Sequence, residues 1–197
     1  MITNKTIEDT ILSRRTIRKF LPDDIPLHVV VSILEDAKWA PNHKIREPWE
    51  IILFKGEGRD TLVERVGDSL SRIGLKNESS NDIILKKRKK FQQFVTDIPI
   101  HLLIYMKPGP TQKAWHEDFA ATCAFMQNVQ LLAWSMGLGT VWKTNEFIFD
   151  PQFKVDLGLN KDDVILGMLH LGKPAVIPEP KERTSVKHKL TIYNTHE

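Results

Sequence analysis

Ser13-Arg14-Arg15-Thr16-Ile17-Arg18-Lys19-Phe20 is the stretch on which this 197-residue chain turns. Arg14, Arg15 and Arg18 supply three guanidinium groups, and Thr16 a hydroxyl, within five residues. Arginine's planar fork matches phosphate oxygens two at a time, so the set suits a phosphate group. Residues 5–15 also read as a helix with Ile7, Ile11 and Leu12 on one face. Cations at its C-terminal end could therefore simply complement the helix dipole and stay solvated. Both readings stand on the cluster alone. Some 25 residues later Ala40-Pro41-Asn42-His43 leads into Glu47-Pro48-Trp49. The ordered pair of stretches says more than either one.

Composition limits the possibilities around this pair. Apolar residues make up 41% and charged residues 27%, which fits one globular domain with a sizeable core, residues 1–197, and excludes wholesale disorder. The net charge of +3, from 28 basic and 25 acidic side chains, is too small to imply a polyanionic partner. With a single cysteine, Cys123, no intrachain disulfide and no redox thiol pair can form. The N-terminus, Met1-Ile2-Thr3-Asn4-Lys5, lacks a signal-peptide apolar run, so a cytoplasmic location is expected. The longest apolar region, 119–138, is interrupted by Gln127, Asn128 and Gln130 and reads as a buried helix rather than a membrane span.

Along the chain, Pro26 opens a second helix whose stripe is Val29, Val30, Ile33, Leu34 and Ala37. Strands are expected at 49–54, 98–106, 140–144 and 164–171, and helices at 58–73, 82–95, 113–136 and 151–157. Gly137 and Gly139 bracket the end of the long helix. Residues 174–197, with three prolines, form a tail that is frayed or laid across something else. Gly172-Lys173-Pro174 follows the last expected strand, so Lys173 emerges at a strand's C-terminal end, where open α/β sheets tend to bind ligands. No Gly-x-Gly-x-x-Gly follows a strand, which argues against a dedicated dinucleotide domain.

Other features have plain readings. Lys86-Lys87-Arg88-Lys89-Lys90 is read as a solvated helical face, not a nucleic-acid site, because no aromatic is interleaved before Phe91. His116-Glu117-Asp118 is read as an exposed helix start rather than a metal site, since adjacent helical residues point apart. Cys123 is expected to be packed, and Trp39, Trp115 and Trp134 fit core or interface positions.

Four ordered motifs resemble the nitroreductase family: Arg14 to Phe20, Ala40-Pro41-Asn42-His43 with Pro48-Trp49, Gly137-Leu138-Gly139-Thr140-Val141-Trp142, and Leu171-Gly172-Lys173-Pro174. The resemblance covers nearly the whole chain and is strongest to the short, single-domain branch. It implies an α+β, three-layer fold: a mainly antiparallel central sheet flanked by helices, with the long helix at a homodimer interface and 174–197 as an arm around the partner. It implies bound flavin mononucleotide (FMN), with Arg14, Thr16 and Arg18 on the phosphate and ribityl end, Arg15 close by, Lys173 joining them on the phosphate, and Gly172 also at the cofactor. Asn42 and His43 would approach from the second subunit, and Trp142, Lys143 and Thr144 would line the ring. The family commonly carries asparagine where Ile45 stands and glutamine where Glu47 stands, which bears on contacts to the ring edge.

The implied activity is ping-pong transfer from NADH or NADPH, through the flavin, to nitroaromatics, quinones or similar flat acceptors. No side chain is singled out as a catalytic acid, and no metal, membrane or nucleic acid is implicated. Two alternatives are carried: the same fold with reductive dehalogenation or oxygen-dependent flavin chemistry, and a basic nucleic-acid-binding protein using residues 86–90.

Overall fold

Local sequence chemistry resolves into six α-helices and four β-strands in the computed structural model, which describes residues 6–193. Thr6 starts α1 (Ile7–Ser13) with a capping box: its hydroxyl accepts from Asp9 N–H while the Asp9 carboxylate accepts from Thr6 N–H. Then come α2 (Leu27–Ala37), β1 (Trp49–Lys55), α3 (Gly58–Lys76), α4 (Asn81–Thr96) and β2 (Ile100–Met106). The chain continues through α5 (Gln112–Ser135), β3 (Gly139–Lys143), α6 (Pro151–Asp156) and β4 (Val164–Gly172). Every element expected from the sequence is present. The first helix is shorter than expected at its C-terminal end, because the chain turns extended at Arg14. Residues 1–5 and the last part of the expected arm, 194–197, lie outside the described residues.

The sheet runs β1-β2-β4-β3 with every neighbouring pair antiparallel. Strand alternation divides its side chains between two cores. On β2, Ile100, Leu102, Ile104 and Met106 face α2 and α5, while Leu103 and Tyr105 face α3, α4 and α6. Helix, sheet and helix make the three-layer α+β architecture. Trp49, at the head of β1, stacks on Phe125 of α5 with ring centroids 5.0 Å apart, which fixes the sheet against the long helix.

Helix α5 buries one side only. Val129, Met126, Phe125 and Ala133 lie in the core, whereas Phe119, Ala120 and Gln127 are exposed. Among the described residues no helix is long and apolar enough to cross a membrane. The exposed apolar side chains include two further groups, near the N-terminus and in the tail. One is α1, where Ile7, Ile11 and Leu12 face outward and Thr10 faces inward; the other is the tail, with Val176, Ile177, Leu190 and Ile192.

Candidate functional site

After α1 the chain becomes a strap across the β3 edge of the sheet. Ile17 N–H donates to the Thr140 carbonyl at 2.9 Å, Leu21 N–H to the Lys173 carbonyl at 2.9 Å, and Ala175 N–H to the Lys19 carbonyl at 2.9 Å. An extended segment has period two, so Ile17 points into the protein, fully buried, while Arg14, Thr16 and Arg18 share the other side. Gly139 makes this crossing possible. A Cβ there would lie 2.4 Å from Ile17 Cγ1 and 3.1 Å from Pro174 Cγ. Gly172 does the same below the strap, where a Cβ would lie 2.9 Å from Pro99 Cδ and 3.0 Å from Phe20 Cδ1.

The outward side of the strap walls a cavity of about 870 Å³. Arg14, Arg15, Thr16, Arg18 and Lys19 line it together with Ile11 and Leu12 of α1, Gln127 of α5, and the tail residues Val176, Pro178, Glu179, Pro180, Lys181 and Arg183. Gln127 is held from behind: Thr140 Oγ1 donates to Gln130 Oε1 at 3.5 Å, and Gln130 Nε2 donates to Gln127 Oε1 at 3.4 Å. Trp134 Nε1 donates to Ser13 Oγ at 2.9 Å and ties α5 to the start of the strap.

Cations outnumber anions around the cavity, with Arg14, Arg15, Arg18, Lys19, Lys181 and Arg183 against Glu179. Arg15 Nη1 donates to the carbonyls of Leu12 and Arg14, at 2.8 and 2.9 Å. Among the described residues Arg14, Arg15, Arg18 and Arg183 form no ion pair. Burial, followed by the nearby charges of Arg15 and Arg183, pulls the Arg14 pKa below the ordinary arginine value. Such crowding is unfavourable until an anion enters, and a phosphate with its several acceptor oxygens meets that need. The residues present therefore fit a phosphate-bearing cofactor. Among the described residues no group of three His, Cys, Asp or Glu could hold a metal ion.

Asn42 and His43 do not line this cavity within one protomer. They sit on a loop entering the 3₁₀ turn His43–Ile45, with His43 exposed. Lys44, Ile45 and Glu47 all take left-handed φ angles, of 55°, 54° and 44°. Both ends of the Asn42 amide hold the loop: Nδ2 donates to the Ala40 carbonyl at 3.2 Å and Oδ1 accepts from Glu47 N–H at 3.0 Å. Arg46 fastens it to α5 through a fork on Asp118, Nε and Nη2 each donating at 2.9 Å, while Asp118 also accepts from Gly109 N–H at 2.7 Å. Asp118 is therefore buried and paired, which corrects the reading of residues 116–118 as an exposed helix start. The sequence offered no signal for the pair, because Arg46 and Asp118 are 72 positions apart.

Trp142, Lys143 and Thr144 lie at the end of β3, away from the cavity lining. Trp142 Nε1 donates to the Leu166 carbonyl at 3.4 Å. Lys143 is half-buried, with Nζ 3.6 Å from the centre of the Phe94 ring on α4. Lys173 pairs with Asp23 at 2.8 Å, so its charge is already partnered in this protomer. Behind Phe94 stands a pair the sequence reading missed: His101 and His170, cross-strand neighbours on β2 and β4, both fully buried. Their Nδ1 atoms are 2.6 Å apart, and His101 Nε2 lies 3.1 Å from the Val95 carbonyl. Burial lowers the His101 pKa to about 4 and pushes His170 well below its ordinary value.

Of the remaining readings, Lys86, Lys87, Lys89 and Lys90 are exposed as expected. Cys123 is partly buried and packs against the core, and burial raises its thiol pKa. Trp134 is in the core, whereas Trp39 is exposed.

Residues 11–173 match the sequence model of the nitroreductase family. A Bacillus subtilis protein provisionally named as the NAD(P)H nitroreductase YfhC is 33% identical over 95% of this chain and 94% of its own length. The crystal structure of a nitroreductase-like family protein from Bacillus cereus is 39% identical, covers 98% of both chains and superposes with a TM-score of 0.89. The FMN- and NADPH-dependent nitroreductase NfnB of Sphigopyxis sp. strain HMH shares the fold at 18% identity, with a TM-score of 0.76 over 96% of this chain and all of that one.

Proposed function

Because the chain belongs to the nitroreductase family, we propose that it is a homodimeric, FMN-dependent oxidoreductase. It takes hydride from NADH or NADPH and reduces nitroaromatics, quinones or similar flat acceptors in ping-pong turnover. The observation that carries this reading is the cavity walled by Arg14, Arg15, Arg18 and Arg183, none of them ion-paired among the described residues. The cofactor use of NfnB is consistent with it.

In this reading Arg14, Thr16 and Arg18 hold the phosphate and ribityl end, and Arg15 and Arg183 add positive potential. Gly172 and Lys173 support the strap from below. Bound flavin would supply the two-electron chemistry, with Arg14, Thr16 and Arg18 holding it in place. Lys143 is the cation that meets the negative charge developing on reduction, while Trp142 and Thr144 shape the ring site. Asn42 and His43 come from the second protomer. The exposed apolar side chains of α1, α5 and the tail, among them Ile11, Phe119 and Ile177, support a dimer that covers them.

A visible absorption spectrum of the purified protein, before and after anaerobic addition of NADPH or NADH, tests the proposal. Flavin bands that bleach with either donor are the expected result. A colourless protein that also fails to bind added FMN overturns it. Replacing Lys143 with methionine is expected to lower the flavin midpoint potential, and an unchanged potential removes Lys143 from that role.

A further inference from the structure

Helix α4 carries a second set of cations that the cavity does not use. Arg88 turns inward, donating from Nη1 to Ser71 Oγ at 2.9 Å and lying 4.0 Å from Asp68. Lys86, Lys87, Lys89 and Lys90 stay exposed and, among the described residues, enter no ion pair. Helical spacing puts Lys86, Lys90 and Phe94 in one row, at i, i+4 and i+8.

Phe94 fixes where that row ends. Its ring meets His170 edge-on, with centroids 4.7 Å apart, and carries Lys143 Nζ over its face. The row on α4 thus runs into β3 at the residue assigned to the ring site. Burial first, and then the charges of Lys90 and Arg18, hold the Lys143 pKa below the ordinary lysine value. The charges of Lys90 on α4 and of Arg18 on the strap thus both act on Lys143. Through Phe94, Lys143 at the end of β3 is followed along α4 by Lys90 and Lys86, and none of the three is ion-paired among the described residues.

We propose that Lys86 and Lys90 form the subsite for the phosphorylated end of the nicotinamide dinucleotide donor and make NADPH the preferred donor. The inference rests on the reductase reading above and deepens it. A transient donor must lay its nicotinamide on the ring site and its phosphates somewhere beyond, and the α4 row offers lysines beyond Lys143. NADPH differs from NADH by one phosphomonoester, about two further negative charges near neutral pH. Lysine, a compact cation on a flexible stem, suits brief binding better than a rigid arginine fork.

The test is steady-state kinetics on the flavin-loaded dimer with each donor. It compares the parent, the double variant Lys86→Gln/Lys90→Gln, and Lys161→Gln, which removes one exposed charge from the α6–β4 loop. The parent is expected to prefer NADPH and to be inhibited more strongly by 2′,5′-ADP than by 5′-AMP. In the double variant KM for NADPH should rise about fivefold to tenfold with KM for NADH shifted less than twofold, and the difference between the inhibitors should disappear. Lys161→Gln should match the parent. Retained flavin bands certify that the variants are folded. Equal use of both donors by the parent, or equal shifts for both in the double variant, overturns the subsite while leaving the reductase reading intact. So does salt-sensitive nucleic-acid retention that the double variant loses with its donor kinetics unchanged. A parent that binds no flavin overturns both.

Discussion

Two arginine sites in this protein use the same side chain for opposite ends. Arg46 lies in a fork against buried Asp118 and pins the strained 42–47 loop to α5. Arg14, Arg15, Arg18 and Arg183 crowd one cavity with no carboxylate paired to any of them, among the described residues. A paired, partly buried arginine holds structure, and removing its partner leaves a charge stranded. An unpaired group of arginines raises the free energy of the empty protein and lowers it when an anion binds. The difference lies in the counter-ion, and residue type alone does not reveal it.

The largest expected effect comes from making the first site resemble the second. Asp118→Asn leaves Arg46 without its charge partner and should cost about 3 kcal/mol in denaturant unfolding, the lower end of the range because a third of the Arg46 side chain is exposed. An unchanged midpoint would show that the fork contributes nothing. Gly139→Ala attacks the second site from beneath. Its new Cβ would meet Ile17 at 2.4 Å, so the strap must shift, with a loss of about 2 kcal/mol and weaker FMN binding together. Calorimetry and FMN titration on one variant check whether the two losses occur together.

Acid acts first on neither arginine site but on His101 and His170. The folded-state pKa of His101, about 4, lies below the ordinary 6.5. The unfolded chain therefore binds more protons between these values, and stability is complete above about pH 6.5 and drains away as pH falls towards 4. From pH 7 to pH 5 the shift of His101 alone should cost about 2 kcal/mol, and the lowered pKa of His170 should add to it, read by urea unfolding at each pH. A flat profile would place the histidines in contact with solvent. The smallest effect on the fold belongs to Arg14→Ala. It should weaken FMN binding by about tenfold while leaving apo-protein stability unchanged or slightly higher, because like-charge repulsion is relieved. A marked loss of apo stability would make Arg14 structural, like Arg46.

Much of this was legible in advance because it rests on local chemistry. The helix opening at Pro26 and the helix end at Gly137 are each set within a few residues. The arginine stretch stood out in the sequence by residue type alone, although its extended course beyond Ser13 did not. Asp118 was misread because its partner comes from a distant loop, and nothing near it announces burial. The histidine pair was passed over for the same reason: His101 and His170 meet only through the register of β2 against β4.

By itself, then, the sequence determined the order of elements and the presence of a concentrated set of cations at Arg14, Arg15 and Arg18, because periodicity and residue chemistry act over one or two turns. Only the tertiary structure decided which cations are neutralised, which polar groups are buried, and that Lys143 packs over Phe94 at the end of the lysine row of α4. Those outcomes depend on what lies across the sheet, and electrostatic energy is set by distance in space and by access to water rather than by separation along the chain.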